Sequence, residues 1–167
     1  AVFNEMKSVA EALAPDNLRQ VSLEKVIEAI PELREKTGDR AILREIHFHE
    51  DNSRVVKQVS ALERNDFSSF LELVNESGNS SFMFNQNIYT VSNVHDQGVA
   101  LGLALSGLVL KGAGAWRVHG GGFAGTIQAF VPSSHIDKYI STLENAFGKG
   151  ACHVLFIRQK GADVTGF

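Results

Sequence analysis

The chain has 167 residues, of which 44% are hydrophobic and 21% charged, and these proportions exclude a disordered or collagen-like protein and favour one globular domain over residues 1–167. Its formal net charge is −3. Because the lysines and arginines are scattered rather than clustered with aromatic residues, we expect no nucleic-acid partner.

The N-terminal part, residues 1–77, is predicted to be helical. Apolar side chains at helical spacing predict a first amphipathic helix over residues 3–13, which Pro15 ends. Ser22 is a predicted N-cap without a full capping box. The helix that follows it is expected to be short and to stop before Pro31.

Residues 39–65 carry apolar side chains at multiples of a helical turn, with charges between them. This pattern predicts one long helix, for which a kink near residues 51–53 is an open alternative. Asp66 is the predicted cap of a further helix that ends near residues 77–78. Residues 78–92 are polar and aromatic, and their pattern predicts no regular element.

The C-terminal half is predicted to combine helices with strands. Ser92 or Asn93 is expected to cap a helix over residues 94–110, which is apolar nearly all round and should therefore be buried. An alternating run over residues 115–119 and an apolar run over residues 126–131 predict two strands joined by a glycine-rich turn.

A further helix is predicted over residues 135–147, capped by Ser133 and Ser134, and residues 152–157 are predicted to form a strand buried on both faces. A buried helix followed by strand, strand, helix and strand predicts an α+β fold. Its small antiparallel sheet would have helices packed on one face.

The glycine turn, residues 120–125, is the most informative motif of the chain. Gly120, Gly121, Gly122 and Gly125 can each take a positive φ, or let another backbone or a phosphate approach closely. Two interpretations are open with about equal weight: a β-hairpin with a bulge, and a loop whose amides hold an anion.

Two side chains just before the turn are candidates for a supporting role. In a regular strand Arg117 and His119 point to the same face of the sheet. Arg117 can add a positive charge beside a bound anion, although a solvated or salt-bridged strand residue is the more frequent case. His119 is more often a residue that packs a turn than an acid or base.

The other polar residues predict no catalytic or metal centre. His47 and His49 are two positions apart on the long helix and point to nearly opposite sides, so we do not expect them to bind one metal ion. Asp96 is expected to favour the dipole of a helix start. Cys152 lacks a histidine in any recognisable local signature and is interpreted as a buried structural thiol.

Cysteine usage and hydropathy predict a cytoplasmic protein without a membrane partner. A single cysteine cannot form an internal disulfide, which fits a reducing compartment. The longest apolar stretch, residues 99–110, is too short to cross a bilayer, and the N-terminus lacks the basic and apolar regions of a signal peptide. Because the chain begins with Ala1 inside a predicted helix, we expect it to be a piece of a longer protein.

Four segments follow the order of similar segments in galactokinases: residues 21–24 (VSLE), 47–55 (HFHEDNSRV), 75–77 (NES) and 117–125 (RVHGGGFAG). The last of them has an arginine three residues before three glycines. The chain therefore resembles the galactokinase branch of the GHMP small-molecule kinases over most of its length. It departs from the family pattern at Gly78 in place of histidine, at residues 94–97 in place of a Cys-Pro-Glu-Leu-Asp stretch, and at Ala124 in place of glycine.

The resemblance implies a C-terminal kinase domain with a ferredoxin-like antiparallel sheet and added helices. It also implies a set of residues that lie near the nucleotide phosphates and the sugar and that position rather than react: Gly120, Gly121, Gly122, Phe123 and Gly125, with Arg117 and His119 in support. Asp51, Asn52 and Arg54 match family positions and are expected to make contacts on the polar face of their helix.

The resemblance further implies ATP and magnesium as cofactors and galactose, phosphorylated at its anomeric hydroxyl, as substrate. The serine-rich phosphate loop and the aspartate base of the family belong to its N-terminal domain, and neither motif occurs in these 167 residues. We therefore expect a missing N-terminal domain to be the partner of this chain and to hold the main ligands of ATP and magnesium, and we expect the chain alone to be inactive. Two other classes stay open: a non-catalytic relative that senses sugar and ATP, and a ferredoxin-like binding module.

Overall fold

A computed structural model describes residues 2–13, 18–123 and 125–157 and has an α+β fold that is mostly helical. The helices are α1 (Val2–Ala12), α2 (Leu23–Glu28), α3 (Ile30–Lys36), α4 (Asp39–Glu63), α5 (Phe67–Ser80), α6 (Gly98–Leu110) and α7 (Ile136–Phe147). The strands are β1 (Ala115–Val118) and β2 (Ile127–Phe130). None of the described helices is long and apolar enough to cross a membrane.

The N-terminal helices surround an apolar core formed by Val9, Val21, Val26, Leu33, Ala41 and Ile42. Ser22 caps α2 as predicted, since its Oγ accepts a hydrogen bond from the Lys25 N–H at 3.3 Å. The sequence pattern did not predict α3, whose first turn contains Pro31. A proline is tolerated there because the first turn of a helix needs no N–H from it. Pro15, the predicted end of α1, lies outside the described residues.

α4 is one uninterrupted helix through residues 51–53, and α5 begins after Asp66, whose Oδ1 accepts a hydrogen bond from the Ser69 N–H at 3.1 Å. The predicted end of α5 at residues 77–78 is wrong, because the helix continues to Ser80 and then into a π-helical turn, Ser81–Asn85. Gly78 instead allows α5 to pack closely against β1. A Cβ at this position would lie 2.9 Å from the backbone oxygen of Trp116, so α5 packs directly on β1.

β1 and β2 pair in antiparallel register from Ala115 opposite Phe130 to Val118 opposite Ile127, as the sequence predicts. One face of the hairpin packs on α6 and α7 through Trp116 and Val118. The other face meets α5, where the Phe70 and Phe130 rings form an edge-to-face pair with centroids 5.4 Å apart. The prediction that helices cover one face is therefore wrong, since helices lie on both.

The start of α6 differs from the prediction, because the chain makes successive turns between residues 90 and 97 and the helix begins only at Gly98. Neither Ser92 nor Asn93 caps it, and Asp96 lies outside its first turn. The helix is also not buried all round: its small residues face the hairpin, whereas Leu108 is 69% exposed.

The cap of α7 also differs, since Ser133 and Ser134 belong to a 3-10 turn, Ser133–His135, and no side chain caps the helix. The strand predicted over residues 152–157 is not formed. Its side chains from Val154 to Ile157 are 54% to 90% exposed, because in the described part of the chain only β1 and β2 pair. Cys152 is half-buried beside the α6 and α7 core, and burial raises the pKa of its thiol.

Candidate functional site

The glycine turn joins β1 to β2 and is closed by two backbone hydrogen bonds. The His119 N–H donates to Thr126 O at 3.0 Å, and the Gly125 N–H donates to Gly122 O at 3.0 Å. Gly120, Gly122 and Gly125 have φ values of 62°, 82° and 82°, in the left-handed region that side chains with a Cβ disfavour. The segment is thus a hairpin turn that depends on glycine at three positions.

The glycines of the turn fall into two kinds. Gly122 is buried against residue 87, and a Cβ on it would lie 2.0 Å from Asn87 O. By contrast, apart from chain neighbours, no atom of the described residues stands within 4 Å of the Cβ position of Gly120, Gly121 or Gly125. The tip of the turn is therefore open while one of its glycines is fixed to the protein.

The other predicted site residues lie at the two ends of the turn. Phe123 and His119 are exposed, and neither side chain makes a hydrogen bond or ion pair with a described residue. Arg117 is oriented by two contacts: its Nε donates to Val118 O at 3.2 Å, and its NH2 lies 4.0 Å from Asp51 Oδ2. Arg117 is thus a partly exposed, salt-bridged strand residue at the base of the turn.

Several polar side chains surround Asp51 between α4, α5 and β1. Its Oδ1 accepts hydrogen bonds from Ser77 Oγ at 2.5 Å and from Arg54 NH1 at 3.3 Å. The His47 Nε2 lies 4.0 Å from Asp51 Oδ2, while His47 Nδ1 lies 2.9 Å from Ser80 Oγ. Burial lowers the pKa of His47 although Asp51 opposes this, so the imidazole is neutral at pH 7.

The two histidines of α4 make separate contacts. His47 faces α5, whereas His49 Nε2 lies 3.1 Å from Glu45 Oε1, one turn back on its own helix. Burial lowers the pKa of His49 and raises that of Glu45 to about 7. Within the described ranges, no three His, Cys, Asp or Glu side chains come together in a way that could hold a metal ion.

Two asparagines that sequence reasoning did not single out organise the site. Asn75 Oδ1 accepts a hydrogen bond from the Trp116 N–H at 3.0 Å, and its Nδ2 donates to Gly114 O at 3.2 Å, so the side chain closes the outer edge of β1. The sequence signal for Asn75 was its place in the NES segment, residues 75–77. Asn87, which contacts Gly122, lies in residues 78–92, where the sequence pattern carries no signal.

Comparison with known proteins supports the resemblance to galactokinases. No family model matches the chain. It is 31% identical over 149 residues to a galactokinase of Clostridium acetobutylicum, and the match covers 85% of the chain but 36% of that relative. The chain therefore spans little more than a third of the length of the curated relative, and the resemblance that the four segments indicate is confirmed.

Proposed function

We propose that this galactokinase-like chain is the C-terminal part of an ATP-dependent sugar kinase that phosphorylates galactose at its anomeric hydroxyl. Its glycine turn would lie against the phosphates and the sugar, and would position them rather than react. The observation that carries this proposal is the open tip of the turn: Gly120 and Gly121 leave room for a ligand, and Arg117 stands three residues before the first of them.

The open tip has the properties of a phosphate-contacting loop. The N–H groups of Gly120 and Gly121 donate to no backbone oxygen among the described residues and are therefore available to a ligand. Backbone amides that converge in a turn make an anion-binding concavity, and an arginine adds charge-assisted hydrogen bonds. Arg117 is suited to this, since Asp51 at 4.0 Å orients its guanidinium without enclosing it.

The residues of this chain are better suited to contact the phosphates of ATP than to bind magnesium. In kinases one or two carboxylates and the phosphates themselves hold this ion, which neutralises charge during phosphoryl transfer. Residues 117–126 contain no aspartate or glutamate, and Asp51 is engaged by Ser77 and Arg54. We therefore assign the metal ligands, and the base that the chemistry needs, to the part of the relative that this chain does not span.

We also propose that residues 152–157 add a strand to a ferredoxin-like sheet in the longer protein. Within this segment Val154 to Ile157 are apolar and exposed, as expected for a strand that lacks its partner. Because His119 pairs with Thr126, the N–H and C=O groups of Ile127 and Ala129 point away from β1 and have no described backbone partner. A sheet of more than two strands would protect the amides of both segments from hydrogen exchange.

The proposed activity is tested by ADP release from the full-length gene product that contains this chain, over a panel of hexoses with ATP and magnesium. We expect release with galactose and none from the 167 residues alone. Galactose-dependent turnover by the chain alone would refute the division of roles. Binding of galactose and ATP without ADP release would instead identify a non-catalytic sensor.

The role of the turn is tested in the same protein with Gly121→Ala. Apart from chain neighbours, the new Cβ meets no atom of the described residues within 4 Å, and it requires no positive φ, so we expect the fold to be kept and only the approach of a ligand to be hindered. We expect galactose-dependent ADP release to fall at least tenfold. Gly98→Ala is the matched control, because among the described residues outside its own helix backbone the new methyl group meets Phe147 alone, at an ordinary 3.9 Å. Equal activity of the two variants would contradict a ligand at the tip.

A further inference from the structure

Arg44 on α4 is an arginine buried in the protein interior, with only 2% of its surface exposed. Its Nε donates a hydrogen bond to Asn85 O at 2.9 Å, and its NH1 forms an ion pair with Glu5 Oε2 at 2.7 Å. Burial lowers the pKa of Arg44, although Glu5 opposes this. An arginine remains charged in either case, so a full positive charge stands between α1 and the π-helical turn.

The segment that Arg44 contacts at Asn85 continues to the residue that touches the glycine turn. Asn87, two residues further along, is 3% exposed and is the residue on which Gly122 packs. The side-chain Oδ1 atoms of Asn85 and Asn87 are buried without a hydrogen-bond partner in the described part of the chain. Within this segment the Gln86 N–H donates to Ser81 O at 2.8 Å and its Nε2 donates to Met83 O at 3.4 Å, and the Arg44 guanidinium is the charged group that contacts it, at Asn85 O.

We propose that Arg44 is a positioning residue for the glycine turn: by holding residues 85–87 it fixes the surface on which Gly122 rests. The functional consequence of this inference rests on the proposed kinase function. Amides aimed in advance at a developing charge stabilise it without rearrangement, so a turn that is free to shift would hold phosphate less effectively. Arg44 would act through Asn87 and Gly122 without touching a ligand.

The role requires arginine rather than any cation. The planar guanidinium offers several N–H groups in a fixed arrangement, which lets it contact Asn85 O and Glu5 at the same time. A lysine has one nitrogen at the end of a flexible stem. Arg44→Lys therefore keeps the charge and loses the joint contact, which makes it a sharper test than removal of the side chain.

Arg40 provides a matched control within the same ion-pair cluster. Its Nε and NH2 bind Glu5 at 3.0 Å and 2.6 Å. Its hydrogen bonds and ion pairs within the described part of the chain go to Glu5 and not to residues 85–87. Arg40→Lys thus disturbs the same carboxylate and leaves the support of the turn in place.

The test is amide hydrogen exchange of this chain, measured residue by residue by NMR. The reporter is the Gly125 N–H, which is protected only if the turn keeps its bond to Gly122 O. We expect Arg44→Lys to speed its exchange at least tenfold, with unchanged rates in α7, which packs on the other face of the hairpin. Arg40→Lys should leave Gly125 exchange within about twofold of the wild type.

Three results would overturn the proposal: unchanged Gly125 exchange in a folded Arg44→Lys protein, equal effects of the two lysine variants, or acceleration in α7 as large as at Gly125. The last would mean that Arg44 only stabilises the whole fold. In the full-length gene product, Arg44→Lys should lower the kcat of galactose-dependent ADP release at least tenfold and Arg40→Lys should not. Absence of kinase activity there would refute the proposed function but leave the exchange result to judge Arg44 alone.

Discussion

Replacement of Gly122 by alanine tests whether the glycine turn is fixed to residue 87. The new Cβ would lie 2.0 Å from Asn87 O and 2.9 Å from Asn87 Nδ2, and both atoms belong to a residue that is 3% exposed. The φ of 82° at position 122 adds a second cost in folding free energy. A left-handed conformation costs an alanine about 1 to 2 kcal/mol. Forced overpacking costs about 1 to 3 kcal/mol more, so we expect a loss of about 2 to 5 kcal/mol.

Two neighbouring glycines separate these contributions. Gly120→Ala should lose about 1 kcal/mol, since its φ is 62° but its surroundings are open. Gly121→Ala has neither a positive φ nor a close neighbour and should stay within about 0.5 kcal/mol of the wild type.

Urea unfolding followed by circular dichroism measures the series. With a slope of about 2 kcal/mol per molar urea, the midpoint of Gly122→Ala should fall by about 1 to 2.5 M. If Gly122→Ala and Gly121→Ala unfold at the same urea concentration, the packing of the turn on Asn87 is refuted. If Gly122→Ala matches Gly120→Ala instead, the loss comes from the backbone conformation and not from the contact.

Three further substitutions test the surroundings of the site. Asn75→Ala removes both side-chain bonds to the edge of β1 and should cost about 1 to 3 kcal/mol, with faster exchange of the Trp116 amide; an unchanged rate would contradict the role of Asn75. Gly78→Ala should destabilise by about 1 to 3 kcal/mol despite better helix propensity, because its Cβ meets the Trp116 carbonyl; a stabilised variant would show that α5 can move. Burial raises the pKa of Glu45 from 4.5 to about 7, so its folded form retains a proton that the unfolded chain releases. The contribution of Glu45 to the unfolding free energy is full below about pH 4.5 and is lost as the pH rises to 7, at about 1.4 kcal/mol per pH unit. Glu45→Gln should flatten the fall of the unfolding free energy between about pH 4.5 and 7, and an equal slope in both proteins would show that His49 compensates the charge.

Elements with strong local signals could be predicted from the sequence. The long apolar periodicity of residues 39–65 and the cap at Asp66 gave α4 and the start of α5, because an amphipathic stripe and a capping side chain act over a few residues. The hairpin could also be predicted, because alternation marks its strands and the glycines mark its turn. The order of the four motif segments predicted the resemblance to galactokinases, which the sequence match confirms.

The errors concern features that depend on distant residues. Gly78 resembles a helix end in sequence, yet it is buried in α5 because Trp116 approaches from a strand nearly forty positions away. Residues 152–157 have the composition of a buried strand, but a strand needs a neighbour with free backbone groups, which no local pattern supplies.

The sequence by itself determined the long helix α4, the start of α5, the hairpin with its glycine turn, and the similarity to a galactokinase. Only the tertiary structure decided that Gly122 is packed while Gly121 is open, that Asn75 closes the edge of β1, and that Arg44 holds the residues beneath the turn. The physical reason is the separation along the chain of the residues that decide each feature. Periodicity, caps and left-handed turns are set by neighbours within about one helical turn, whereas close approach, burial and charge pairing depend on which distant surfaces the chain brings together.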